Sequence, residues 1–253
     1  MMAEKALDEL LADRRGERML LVPPAGNHGD TLLHSGFRKR ARELGVVYTD
    51  FGDLFGWNVI DVIGDANPLD PNVRNVKSVG QSAVAALLWA RYRAVPDFDL
   101  IYVHGGGNFN EIWGSGVGCF RTAAALFDCD IVVGPQSYLF EETDPADIFR
   151  GVDNDVHLFC RERYSYESME GAVGGLGHVD VSLSPDTALY FEKSDLIEGD
   201  GTAEYTLIAF REDRESLGPH EVDVPDGTTV REDISDTRDS LAGFVEAVAR
   251  AER

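Results

Sequence analysis

The feature that most constrains this chain is a repeated alternation. A short, nearly continuous apolar run is followed by a turn rich in Gly, Asn or Ser, and then by a segment with helical spacing. The runs are MLLV (19–22), GVVYTDF (45–51), NVIDVIG (58–64), LIYVHG (100–105), IVVGPQ (131–136), VHLFCRE (156–162), HVDVSL (178–183) and YTLIAFRE (205–212). Helical patterns such as TLLHSGFRKRARELG and QSAVAALLWARYRAV lie between several of them. Apolar strands alternating with helices predict an α/β chain with a mostly parallel sheet covered on both faces. In such a sheet the loops leaving the C-terminal strand ends line one crevice, where ligands bind.

The polar signatures fall in those loops. GNHGD follows the first strand, HGGGNFNE follows LIYV, GPQSY follows IVV, RERYSYES follows HLFC, SPDTALYF follows VSL, and REDRE follows LIAF. In GNHGD the glycines permit close backbone approach, and Asp30 or Thr31 can cap the next helix. Free N–H groups at that helix start suit an anion or a sugar oxygen; a plain capped turn is the equal alternative. His28 can donate to a phosphate, act as an acid, or be a solvated loop residue.

Three consecutive glycines, Gly105, Gly106 and Gly107, are costly after a buried strand unless the backbone must come close to something. A ligand cradled by their N–H groups, with Asn108 as a neutral donor, is one reading; close packing against a neighbouring strand is the other. Gln136 and Ser137 offer neutral hydrogen-bonding groups. Arg161 and Arg163 sit at a strand end and suit carboxylate or phosphate, or pair with nearby acids such as Glu162 and Glu167. Asp186 either orients a base or an arginine or caps TALYF, and Arg211 directly follows a strand, an anion-binding position.

Charge narrows the partners. The 253 residues carry 45 Asp plus Glu against 23 Lys plus Arg, for a net charge of −22, and four of the bases are Lys. Such a surface repels nucleic acid and anionic membranes and keeps a protein soluble in salt. A halophilic host is the leading explanation, an ordinary acidic cytosolic enzyme the alternative. Cys119, Cys129 and Cys160 lack C-x-x-C spacing and read as buried small hydrophobes in a reducing compartment. No H-E-x-x-H, C-x-x-C or G-x-S-x-G pattern occurs, no run of 18 apolar residues occurs, and a cytoplasmic chain without a metal is expected.

Taken in order, GNHGDTLLHSG, HGGGNF, GPQS, CRERYSYE, SPDTALYF and AFREDRE resemble the polysaccharide pyruvyl transferase family, from about Leu20 to Glu215. The resemblance implies transfer of the enolpyruvyl carbon of phosphoenolpyruvate onto two hydroxyls of a sugar, forming a pyruvate ketal. It also implies a fold similar to two-lobed glycosyltransferases of the GT-B kind: a Rossmann-like first lobe over 1–190, then an acidic segment over 191–253 beginning an incomplete second lobe. No cofactor is implied beyond phosphoenolpyruvate as donor; the partners are a sugar or lipid-linked glycan and, as an open expectation, further copies of the chain.

On that resemblance Arg211, Arg161 and Arg163 go to donor anions. Asn27, Asp30 and the loop from Gly105 to Asn108 go to the sugar acceptor or the crevice wall, with Gln136, Ser137 and Asp186 also in contact with substrate. The family's Arg-Leu-His signature occurs nowhere in the sequence, so the chain is expected to be either a fragment or a shortened relative. The general acid is then expected in the missing part, with His28 and His104 as the other candidates. A sugar-nucleotide glycosyltransferase of GT-B type and a non-catalytic glycan-binding lobe are the competing readings.

Overall fold

A computed structural model describes residues 6–23, 27–55, 97–191, 206–210 and 229–233. After helix α1 (Ala6–Asp13), strand β1 (Arg18–Val22) leads into helix α2 (His28–Leu44), strand β2 (Val47–Asp50) and short helix α3 (Phe51–Phe55). Strand β3 (Leu100–Val103), helix α4 (Ser115–Leu126), strand β4 (Asp130–Gln136) and short helix α5 (Ala146–Phe149) follow. Strand β5 (Val156–Cys160), helix α6 (Arg163–Val173), strand β6 (Val179–Leu183) and a 3₁₀ turn (Thr187–Tyr190) complete the main unit. The predicted strand at 58–64 and the predicted helix at 81–95 lie outside the described residues.

The six strands form one parallel sheet in the order β2-β1-β3-β4-β5-β6. Residue alternation divides its two faces. Met19, Leu21, Leu100, Tyr102 and Val132 face α1 and α2, packing on Leu7, Leu11, Phe37 and Ala41. Leu20, Val22, Ile101, Val103, Ile131, Val133 and Leu158 face the other way, against Phe109, Phe120, Phe149, Met169 and Val173. Strands buried on both faces explain why the sequence shows near-continuous apolar runs. Each large side chain so buried contributes roughly 1.5–3 kcal/mol.

The strand order fixes where a ligand can bind. From β1 the chain moves to one side for β2 and to the other for β3, so the C-terminal ends of β1 and β3 flank the topological switch point, where the loops diverge and leave a crevice. GNHGD and HGGGN leave the sheet on either side of that gap.

A separate parallel pair joins β7 (Thr206–Phe210) to β8 (Thr229–Asp233). The strand expected at 205–212 is described over Thr206–Phe210; TVRED, within the acidic segment expected over 191–253, is a strand as well. Its single apolar residue, Val230, is too little for alternation to signal, and backbone pairing with β7 carries it. No helix among the described residues is long and apolar enough to cross a membrane.

Candidate active site

The first wall is the start of α2. Asn27, in extended backbone, caps the helix: its Oδ1 accepts from the amides of Gly29 at 2.8 Å and Asp30 at 3.4 Å. Asp30 Oδ2 accepts from the Asn27 amide at 2.8 Å, completing a capping box. The same carboxylate braces the second wall, because a Cβ built on Gly106 would lie 2.9 Å from Asp30 Oδ1. Gly106 has φ +139°, so glycine is required there twice over.

The other two glycines have different reasons. A Cβ on Gly105 would sit 2.3 Å from the Pro135 carbonyl, so this position is close packing against β4. Between Val133 and Gln136, β4 spends three residues against two of β5, a bulge built on Gly134 and Pro135. The bulge locks to the loop: Gly106 N–H donates to Pro135 O at 3.0 Å, and Ser137 N–H donates to Gly106 O at 2.9 Å. Gly107 alone of the three faces open ground, its nearest neighbour across the gap being Arg161 Nη2, 3.7 Å from a built Cβ. Asn110 turns the Gly107 peptide by donating from Nδ2 to its carbonyl at 2.5 Å. The amides of Gly107 and Asn108 find no acceptor among the described residues. Buried or half-buried N–H groups are rarely left unpaired except where a ligand or water takes them.

Beneath the loop, Gln136 is fully buried and donates from Nε2 to His104 O and to Asn108 Oδ1, both at 3.1 Å. It ties the exits of β3 and β4 together from inside, so Gln136 and the Asn108 amide form the floor.

Arg161 supplies the charge. Its Nε donates to Ser137 Oγ at 2.7 Å and its Nη1 to Asp186 Oδ2 at 2.9 Å, leaving the Nη2 edge toward Gly107. Asp186 Oδ1 accepts from the Ala188 amide at 2.9 Å, so this carboxylate caps the 3₁₀ turn and holds the arginine together. The turn is fastened to α2: Thr187 Oγ1 donates to Leu33 O at 2.9 Å, and Gly36 is bare because a Cβ there would meet Thr187 O at 2.1 Å. Segment 184–190 thus runs back from the β6 edge to the first wall.

Of four other expected residues, two stand apart and two are not described. Arg163 opens α6 with its side chain 82% exposed and pairs with Glu167 at 4.0 Å. The His28 side chain and Arg211 lie outside the described residues. His104 is fully buried below the loop, its ring 4.2 Å from that of His34 and edge-on to Phe37 and Tyr102. Burial, with the neighbouring His34 and Arg38 charges, drives its pKa well below the ordinary value. It stands neutral under the site and packs the core.

Three contributors went unassigned in the sequence. Asn110 is signalled by its spacing, three residues after the glycine whose carbonyl it holds. Glu111 accepts from the amides of Glu141 at 3.0 Å and Thr143 at 2.5 Å, pinning the loop after β4. Glu162 caps α6 through the Ser165 amide at 2.7 Å.

The model of the polysaccharide pyruvyl transferase family matches residues 27–237 of this chain. No curated protein gives a significant match. Among solved structures, a functionally uncharacterized protein from Klebsiella pneumoniae subsp. pneumoniae is similar at 18% identity and a TM-score of 0.58. That match covers 96% of this chain and 73% of the Klebsiella chain, and it speaks for the fold alone.

Proposed function

Because the chain belongs to the polysaccharide pyruvyl transferase family, we propose that it moves the pyruvyl group of phosphoenolpyruvate onto two hydroxyls of one sugar in a cell-surface polysaccharide or glycan. The observation that carries the reading is the Nη2 edge of Arg161, aimed at Gly107 beside two amides that find no acceptor among the described residues, at the topological switch point. A guanidinium and backbone N–H groups are the donors a carboxylate or phosphate calls for. Even paired with Asp186, the guanidinium keeps one donor edge toward the glycine loop.

The reaction asks for little more than placement and charge stabilisation. One sugar hydroxyl adds to C2 of the enol as C3 takes a proton and becomes a methyl group. The second hydroxyl then displaces phosphate from C2 and closes the ketal. The two hydroxyl protons balance the one gained at C3 and the one that leaves with phosphate. Arg161 and the Gly107 and Asn108 amides hold a donor oxyanion, Arg211 is the second cation that the family resemblance implies, and the Asn27–Asp30 turn walls the acceptor side. His104, neutral and enclosed, leaves the proton at C3 to another group. A cytoplasmic enzyme needing no cofactor beyond the donor, working as a homo-oligomer, completes the proposal.

The test is incubation with phosphoenolpyruvate and a panel of methyl pyranosides and glycans. Phosphate release and the ketal methyl signal in proton NMR are expected, and both are lost in Arg161→Ala. If phosphoenolpyruvate gives neither thermal protection nor phosphate, the reading fails. Protection by a UDP- or GDP-sugar instead moves the chain to glycosyltransfer, and glycan binding without phosphate release makes it a binding lobe.

A further inference from the structure

We propose that Ser137 and Asp186 are positioning residues, which clamp Arg161 on two edges so that it meets an anion with its third. This assigns Ser137 and Asp186 to the arginine rather than to substrate. It rests on the pyruvyl-transfer reading for the identity of the anion and on the structure alone for the clamp.

The polarity of the clamp is fixed by donor arithmetic. Arg161 has five N–H donors and no acceptor, so Ser137 Oγ must accept from Nε at 2.7 Å. The hydroxyl's own proton then points elsewhere, and Ser137 lies close enough to the Glu162 carboxylate to lower its pKa. Burial pushes that carboxyl up, but hydrogen bonds from Ser165 and Ser137 and the Arg161 charge bring it below its ordinary value. Glu162 is therefore ionised and held: Ser165 donates to it from both N–H and Oγ, and Ser165 Oγ in turn takes the Tyr138 amide at 2.8 Å. On the opposite edge Asp186 is held by the 3₁₀ turn that α2 secures. Both supports are anchored in separate loops, so the guanidinium cannot turn without breaking one of them.

A clamped arginine gives up its side-chain freedom before the ligand arrives, which is what preorganisation contributes to affinity. The arrangement also leaves a single open edge, so the anion is gripped end-on by Nη2 with the Gly107 amide, not by the two-pronged fork.

The experiment uses the full chain labelled with ¹⁵N-arginine, with the Arg161 Nε–H signal assigned by its disappearance in Arg161→Lys. Hydrogen exchange of that signal should be slow, should quicken about tenfold in Ser137→Ala as one hydrogen bond is lost, and should recover in Ser137→Thr, which keeps the hydroxyl. Titration calorimetry with phosphoenolpyruvate should show Kd weakened about tenfold in Ser137→Ala and Asp186→Asn, and restored in Ser137→Thr. Wild-type exchange in Ser137→Ala overturns the clamp. So does tighter binding in Asp186→Asn, the result expected if Asp186 merely competed with the ligand for charge. Unchanged affinity in Arg161→Ala sinks the donor-site reading instead, and the exchange measurement still decides the clamp.

Discussion

Acidification from pH 7 to pH 5 should cost this protein stability through the paired rings of His34 and His104. Burial, and the nearby Arg38 charge, bring His34 from 6.5 down to about 3, and His104 moves in the same direction. Both rings are neutral in the folded state and take up protons readily only when the chain unfolds. Their contribution is whole above pH 6.5 and is lost as pH falls from 6.5 toward about 3. For His34 alone the linkage relation gives a loss of about 2 kcal/mol at pH 5, with His104 adding to it. The carboxylates held below their ordinary range, Glu111 and Glu162, stay ionised across this window and do not contribute. Partial neutralisation of the acidic surface works the other way, so the measurement that isolates the pair is a difference. Urea unfolding at pH 7 and pH 5 should show a loss in the wild type that is about 2 kcal/mol smaller in His34→Gln. An equal loss in both proteins would falsify the neutral-pair account.

Three further outcomes follow from the same structure. Gly105→Ala should destabilise by about 1–3 kcal/mol in urea unfolding, since the added methyl meets backbone at Pro135 and not a side chain that can swing aside. Glu111→Ala removes the acceptor for the amides of Glu141, Glu142 and Thr143, at about 1–3 kcal/mol, and should open that loop to limited proteolysis ahead of the rest. Raising KCl from 0.1 M to molar levels should raise Tm, because screening relieves the repulsion of a −22 chain; an indifferent Tm removes the halophilic reading.

The sheet was legible in the sequence because a strand buried on both faces has no polar side to interrupt it. β8 was not, because TVRED is held by main-chain bonds that composition does not report. At the site, strand exits marked the right loops but not the jobs within them. Gly105, Gly106 and Gly107 read alike as letters, yet one packs on Pro135, one takes a positive φ under Asp30, and one faces the arginine. For Asp186 an arginine or a cap of TALYF was readable at the strand end, and the structure supplies both; what the sequence does not show is which arginine, some 25 residues away, it takes, or that Ser137 takes the same one.

The placement of the positive charge then depends on a local irregularity. Had β4 run on in register, no extra residue would stand between Val133 and Gln136. The bulge brings the Pro135 carbonyl onto Gly106, takes the Gly106 carbonyl onto the Ser137 amide, and so presents Ser137 Oγ to Arg161. The same extra residue requires Gly134, where a Cβ would meet the Tyr102 hydroxyl at 2.2 Å. One inserted residue in a central strand thereby couples three exits, β3 through Gly106, β4 through Ser137 and β5 through Arg161. A deletion that restores plain parallel register should leave the sheet paired while it disconnects the arginine from its hydroxyl.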